Sequence, residues 1–137
     1  MQSPAPIITE VTLALLTDGD QISVGARLGY DAGDPYAVSL EMVTGPEDVV
    51  VWSFSRDLLS SGTRESVGDG DIRISPVRRG GLARISLELR TPTGEAVLEA
   101  SLAEIVEFLS ASYEVVPSGT ESSYLDLDGL LARLLAA

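Results

Sequence analysis

Asp31 and Asp34, three residues apart, are the pair in this 137-residue chain whose type and spacing most invite chemistry. Two close carboxylates with pKa values driven apart can divide general acid and general base work. Their surroundings, Leu28-Gly29-Tyr30-Asp31-Ala32-Gly33-Asp34-Pro35-Tyr36-Ala37-Val38, favour a turn instead. Asp bonds nearby backbone N–H groups, and the residue before Pro is pushed toward extended backbone. Asp18-Gly19-Asp20, Asp69-Gly70-Asp71 and Asp126-Leu127-Asp128 invite a calcium reading. None has the loop spacing or the closing bidentate Glu of an EF-hand, so the first two read as turns and the third as a helix start. The glycines of Val67–Asp71 precede a strand and lack the Gly-Lys-Ser/Thr ending of a phosphate loop. With no His and no Cys, zinc ligands of the usual kind, thiolate nucleophiles and imidazole bases are missing together. The sequence therefore assigns no catalytic residue, no cofactor and no metal, and most common catalytic constellations are excluded.

Two further constellations concern binding. Tyr30, Tyr36, Trp52 and Phe54 could stack bases, as aromatic platforms do in single-strand binders when a basic groove accompanies them. They fall on otherwise apolar strand faces, which favours core or subunit packing. Arg73, Arg78, Arg79, Arg84 and Arg90 form the one basic segment of a chain whose net charge is −12. They read either as a solvated face or as a patch for an acidic protein surface. Because affinity for phosphate backbones comes mainly from Lys and Arg displacing counterions, the acidic balance argues against nucleic acid. No apolar run approaches the ~18 residues of a bilayer crossing, and the first residues lack the basic and apolar regions of a secretory leader. The expectation is a cytoplasmic protein.

These residues must be positioned by strands, for apolar side chains recur at every second position. Val11, Leu13 and Leu15 share one face of a first strand, Ile8–Thr17, and Ile22, Val24, Ala26, Leu28 and Tyr30 one face of a second. A third carries Tyr36, Val38, Leu40 and Met42, and a fourth Val50, Trp52 and Phe54. Ser55 can cap a short helix through Arg56-Asp57-Leu58-Leu59. A hairpin of Asp71–Val77 with Leu82–Arg90 and a seventh strand, Glu95–Ala100, follow. Ser101 and Glu104 then open a helix with Leu102, Ile105, Val106 and Leu109 on one stripe, and Asp126 opens another. The expected fold is α+β, a single domain over residues 1–137 with an antiparallel seven-strand, barrel-like sheet and three helices in the order ββββαβββαα.

The segments Leu28–Val38 and Trp52-Ser53-Phe54-Ser55-Arg56-Asp57-Leu58-Leu59 resemble the SsgA-like family of actinobacterial sporulation and cell-division proteins. Gly70–Pro76, Gly94–Ala100, Pro117–Glu121 and Asp126 extend the likeness along the chain, closest to the SsgB branch. The resemblance implies a whirly-like barrel assembled as a trimer. It implies a non-enzymatic adaptor of sporulation-specific septation that helps position the septum and recruits the tubulin-like GTPase FtsZ, with a sister SsgA-like protein as a further partner. Tyr30, Asp31, Asp34, Pro35, Tyr36, Trp52, Phe54, Arg56 and Asp57 are then structural or interface residues. The alternative is a whirly-type single-stranded nucleic-acid binder using the arginine hairpin.

Overall fold

The computed structural model describes residues 4–125 and 134–136. The strands are β1 (Ile7–Thr17), β2 (Asp20–Tyr30), β3 (Ala37–Val43), β4 (Val49–Ser55), β5 (Val67–Asp69), β6 (Ile72–Arg79), β7 (Leu82–Thr91) and β8 (Gly94–Ser101). Helix α1 (Arg56–Gly62) joins β4 to β5, and α2 (Leu102–Val115) follows β8, with a short 3-10 turn at Glu121–Tyr124. All neighbours pair antiparallel in one sheet of order β4-β3-β2-β1-β8-β7-β6-β5. The sheet is thus two four-strand meanders, β1–β4 and β5–β8, side by side. Their seam is short: Ala14, Leu15 and Leu16 of β1 oppose Glu99, Leu98 and Val97 of β8.

The hairpins follow from turn chemistry. Gly80 and Gly81 at the β6–β7 tip have φ of 59° and 83°, the left-handed values that a two-residue turn between twisted strands demands. Alternation then delivers one face of each strand to a common core. Val11, Leu13, Leu28, Leu40, Ile74, Ile85, Leu87 and Leu98 are all buried there, and Ile105, Phe108 and Leu109 of α2 join them. Ile72 and Ile74 lie opposite Leu89 and Leu87.

Several expectations need correction. The sheet has eight strands, not seven, because Val67–Asp69 pairs with Ile72–Ile74 of β6. Three residues are too short to show alternation, and Gly68 with Asp69-Gly70-Asp71 gives the segment the composition of a loop. Tyr36 lies outside β3 and is exposed, since the Asp-Pro turn continues through it. Trp52 is only half-buried, being on the sheet's edge strand next to the exposed Val50. On α2 the buried stripe is Ile105, Phe108, Leu109 and Ser112, while Val106 faces solvent. The helix expected from Asp126 begins outside the described residues.

Candidate functional site

Ser55 ends β4 and caps α1, its Oγ accepting the Leu58 amide at 2.9 Å. This places Arg56 at the first helical position, where its amide donates to the Tyr36 carbonyl (2.8 Å) across from the signature turn. Its side chain turns inward and is 1% exposed. The guanidinium lies between two aromatic rings, 4.7 Å from the Tyr30 centroid and 4.1 Å from that of Tyr113. One terminal nitrogen donates to the carbonyls of Ser112 (3.1 Å) and Val116 (2.8 Å), and the other to Glu121 Oε1 (3.0 Å). A helix leaves its last carbonyls without internal partners, so Arg56 satisfies the end of α2 while its charge complements the helix dipole. Among the described residues only its Nε finds no acceptor.

The rest of the turn is tied to this clasp. Tyr30 donates its hydroxyl to the Pro35 carbonyl at 2.8 Å, and burial pushes its pKa up, against the pull of Arg56, so it stays a donor. Asp31 Oδ1 accepts the Gly33 amide at 2.9 Å, and the Asp31 carbonyl accepts that of Asp34 at 2.9 Å. Asp34 in turn accepts the Ala37 amide through its carbonyl. Both aspartates thus build the turn. Asp57 is exposed in the first turn of α1, and Phe54 is buried opposite Val38. The structure brings Tyr30, Pro35, Tyr36 and Arg56 together. Trp52 stands apart, on the inner face of β4.

The arginine segment is a less open patch than its composition suggested. Arg79 grips Glu99 with both Nε and a terminal nitrogen at 2.6–3.0 Å, and Arg84 Nε lies 3.3 Å from the same carboxylate. Arg90 pairs with Glu95 at 3.3 Å. Glu99 is 1% exposed, and the bonds from Arg79, aided by Arg84, hold its carboxyl below the usual range despite burial. Arg73 donates to Ser66 Oγ and Arg78 to the Gly81 carbonyl. Among the described residues these two alone of the five meet no carboxylate.

Sequence reasoning missed Glu99 and Tyr113. Glu99 alternates with the buried Leu98 and Ala100 and so resembles any outward-facing acid of a strand. Its burial comes from arginines 15 and 20 residues away. Family likeness marks Arg56 as a signature residue but gives Glu121 only as the end of a matching segment, since 65 residues separate the two. Among the described residues no group of three metal-ligating side chains converges, and no helix is long and apolar enough to cross a membrane.

A curled antiparallel sheet of two meanders, fastened by a buried arginine, defines an α+β protein built around its turn signature. The profile described as Streptomyces sporulation and cell division protein, SsgA, matches residues 24–121, and the chain belongs to that family. Sporulation-specific cell division protein SsgB of Streptomyces coelicolor is 41% identical over 128 residues, covering 93% of both chains. Its counterpart in Thermobifida fusca is 38% identical over 135 residues, covering 98% of each. The crystal structure of the SsgA-like protein of Thermobifida fusca superposes with a TM-score of 0.88 at 36% identity, over 97% of this chain and 98% of that one. A second solved structure, from work on SsgB mutations that correlate with longitudinal division in sporulating Streptomyces coelicolor, gives 0.86 at 36% identity. It covers 91% of this chain and 99% of its own.

Proposed function

We propose that the chain is a non-enzymatic adaptor of sporulation-specific cell division. In this reading it is a single cytoplasmic domain that reaches the septum through partners, helps position it and recruits FtsZ. The observation that carries the reading is family membership, with SsgB relatives aligned along more than nine-tenths of the chain. It also takes the fold as whirly-like and the working form as a trimer. Light scattering tests the trimer, and a monomer at micromolar concentration would refute it.

Recruitment is tested by sedimentation with GTP-polymerised FtsZ. Arg73 and Arg78 have no carboxylate of their own among the described residues, so they are the candidate docking charges. Such contacts weaken as the Debye length shrinks from about 10 Å at 0.1 M salt to about 3 Å at 1 M. Co-sedimentation should fall with salt, and an Arg73→Ser, Arg78→Ser variant should bind less at low salt and converge with wild type at high salt. Absence of co-sedimentation at every salt concentration removes FtsZ as the partner. A salt-sensitive band shift with single-stranded DNA would instead replace the adaptor reading with nucleic-acid binding. The commitment of Arg79, Arg84 and Arg90 to glutamates speaks against that outcome.

A further inference from the structure

The curled sheet holds an open apolar cavity of about 200 Å³ that reaches Thr91 and Ala96 beside the β7–β8 turn. Six strands contribute to it, with Met42, Trp52, Leu89 and Leu98 as walls, Ala96 beside them and Val50 at the exposed lip. Among the described residues no charged side chain lines it, and Thr44 and Thr91 are the only polar residues there. Met42, Leu89 and Leu98 are buried, so a flat protein surface laid over the opening would not reach them. A narrow group can. Mouths of small β-barrels are recurrent sites for a single small ligand, and an apolar cavity of about 150 Å³ holds one benzene molecule.

We propose that this cavity binds the hydrocarbon tail of a neutral, medium-chain amphiphile free in solution. The tail fits an all-apolar wall somewhat larger than a benzene site. A neutral head is favoured because the net charge of −12 repels a carboxylate or sulfate, and no charged side chain among the described lining residues pairs an ammonium at the mouth. The proposal is independent of the septation role.

The chain supplies its own reporters. Trp52 is its only tryptophan and Met42 one of two methionines. Full-length protein labelled with ¹³C at the methionine methyls is titrated with octanol. A saturable shift of the Met42 methyl, with Met1 unmoved and a matching change in Trp52 emission, is expected. Ala96→Phe narrows the cavity and should weaken binding tenfold or more. Val50→Asp, at a position already 41% exposed, should weaken it without touching the buried walls. Octanoate should bind more weakly than octanol. An absent or non-saturable Met42 shift up to the solubility of octanol overturns the proposal, as does unchanged binding by both variants. Phosphatidylcholine vesicles form a second arm, and vesicle binding without a response to octanol would reassign the opening to a membrane surface. A Met42 shift that follows protein concentration and ignores octanol would reassign it to a contact between copies, again sinking the proposal.

Discussion

Arg56 shows how one side chain can decide a local structure. Its charge is buried between two rings, and its bonds reach two carbonyls of the α2 terminus and the carboxylate of Glu121. Removing one member of a buried pair strands the other, at a cost of about 3–5 kcal/mol. Arg56→Ala should lower unfolding stability by about that amount in urea titrations. Arg56→Lys should recover little of it, because an ammonium cannot serve three separated acceptors from one plane or stack between tyrosines. A Lys variant as stable as wild type would mean that charge alone holds the clasp. The sequence made the turn around Asp31 and Asp34 readable, since both aspartates act locally. The partners of Arg56 were not readable, because nothing in a run of residues marks an arginine that bonds across 56 to 65 positions.

Among the elements, α1 owes its seat to a glycine. Gly62 closes the helix against β6, and a Cβ there would stand 2.6 Å from Ile74 Cβ. Ile74 is fully buried and has nowhere to retreat. Gly62→Ala should therefore destabilise the protein by about 1–3 kcal/mol, the usual cost of an overpacked core, despite the better helix propensity of Ala. A thermal midpoint equal to or above that of wild type would show that α1 can shift to make room. Long strands were legible because alternation over seven or more residues repeats the signal. β5 was not, since its pairing depends on the neighbour β6 more than on its own three residues. The stripe of α2 was legible at Ile105 and Leu109 but misassigned at Val106, where hydrophobicity alone does not say which flank of a helix meets the sheet.

Across the whole molecule, two carboxylates tie stability to pH. Arg79 and Arg84 hold Glu99 below its ordinary value of 4.5, and backbone N–H groups with Arg56 do the same for Glu121. A depressed carboxylate stabilises the fold above its unfolded pKa and loses that contribution as pH falls through the folded one. The chain has no His, so no imidazole, the side chain that ordinarily titrates near neutrality, blurs the effect. Relief of self-repulsion in a −12 chain opposes the loss on acidification, but wild type and a Glu99→Gln variant share nearly all of it. The stability difference between them should be constant above pH 4.5 and shrink as pH drops below it. A difference that persists unchanged in strong acid would show that the Glu99 contacts do not depend on its charge.

The two-meander layout also has a kinetic consequence. Within each meander every strand pairs with its sequence neighbour, so both halves can assemble through short loop closures. Joining them requires the three-residue seam of β1 with β8 and the grip of Arg56 on α2 and Glu121, which span much longer stretches of chain. These contacts form after the rate-limiting barrier if the halves dock last. Arg56→Ala should then accelerate unfolding while leaving the refolding rate nearly unchanged, the behaviour of a low-φ position. Stopped-flow refolding slowed in proportion to the lost stability would place the clasp in the nucleus. In the late-docking case Arg56 sets how long the finished molecule lasts, and the hairpins set how fast it is made.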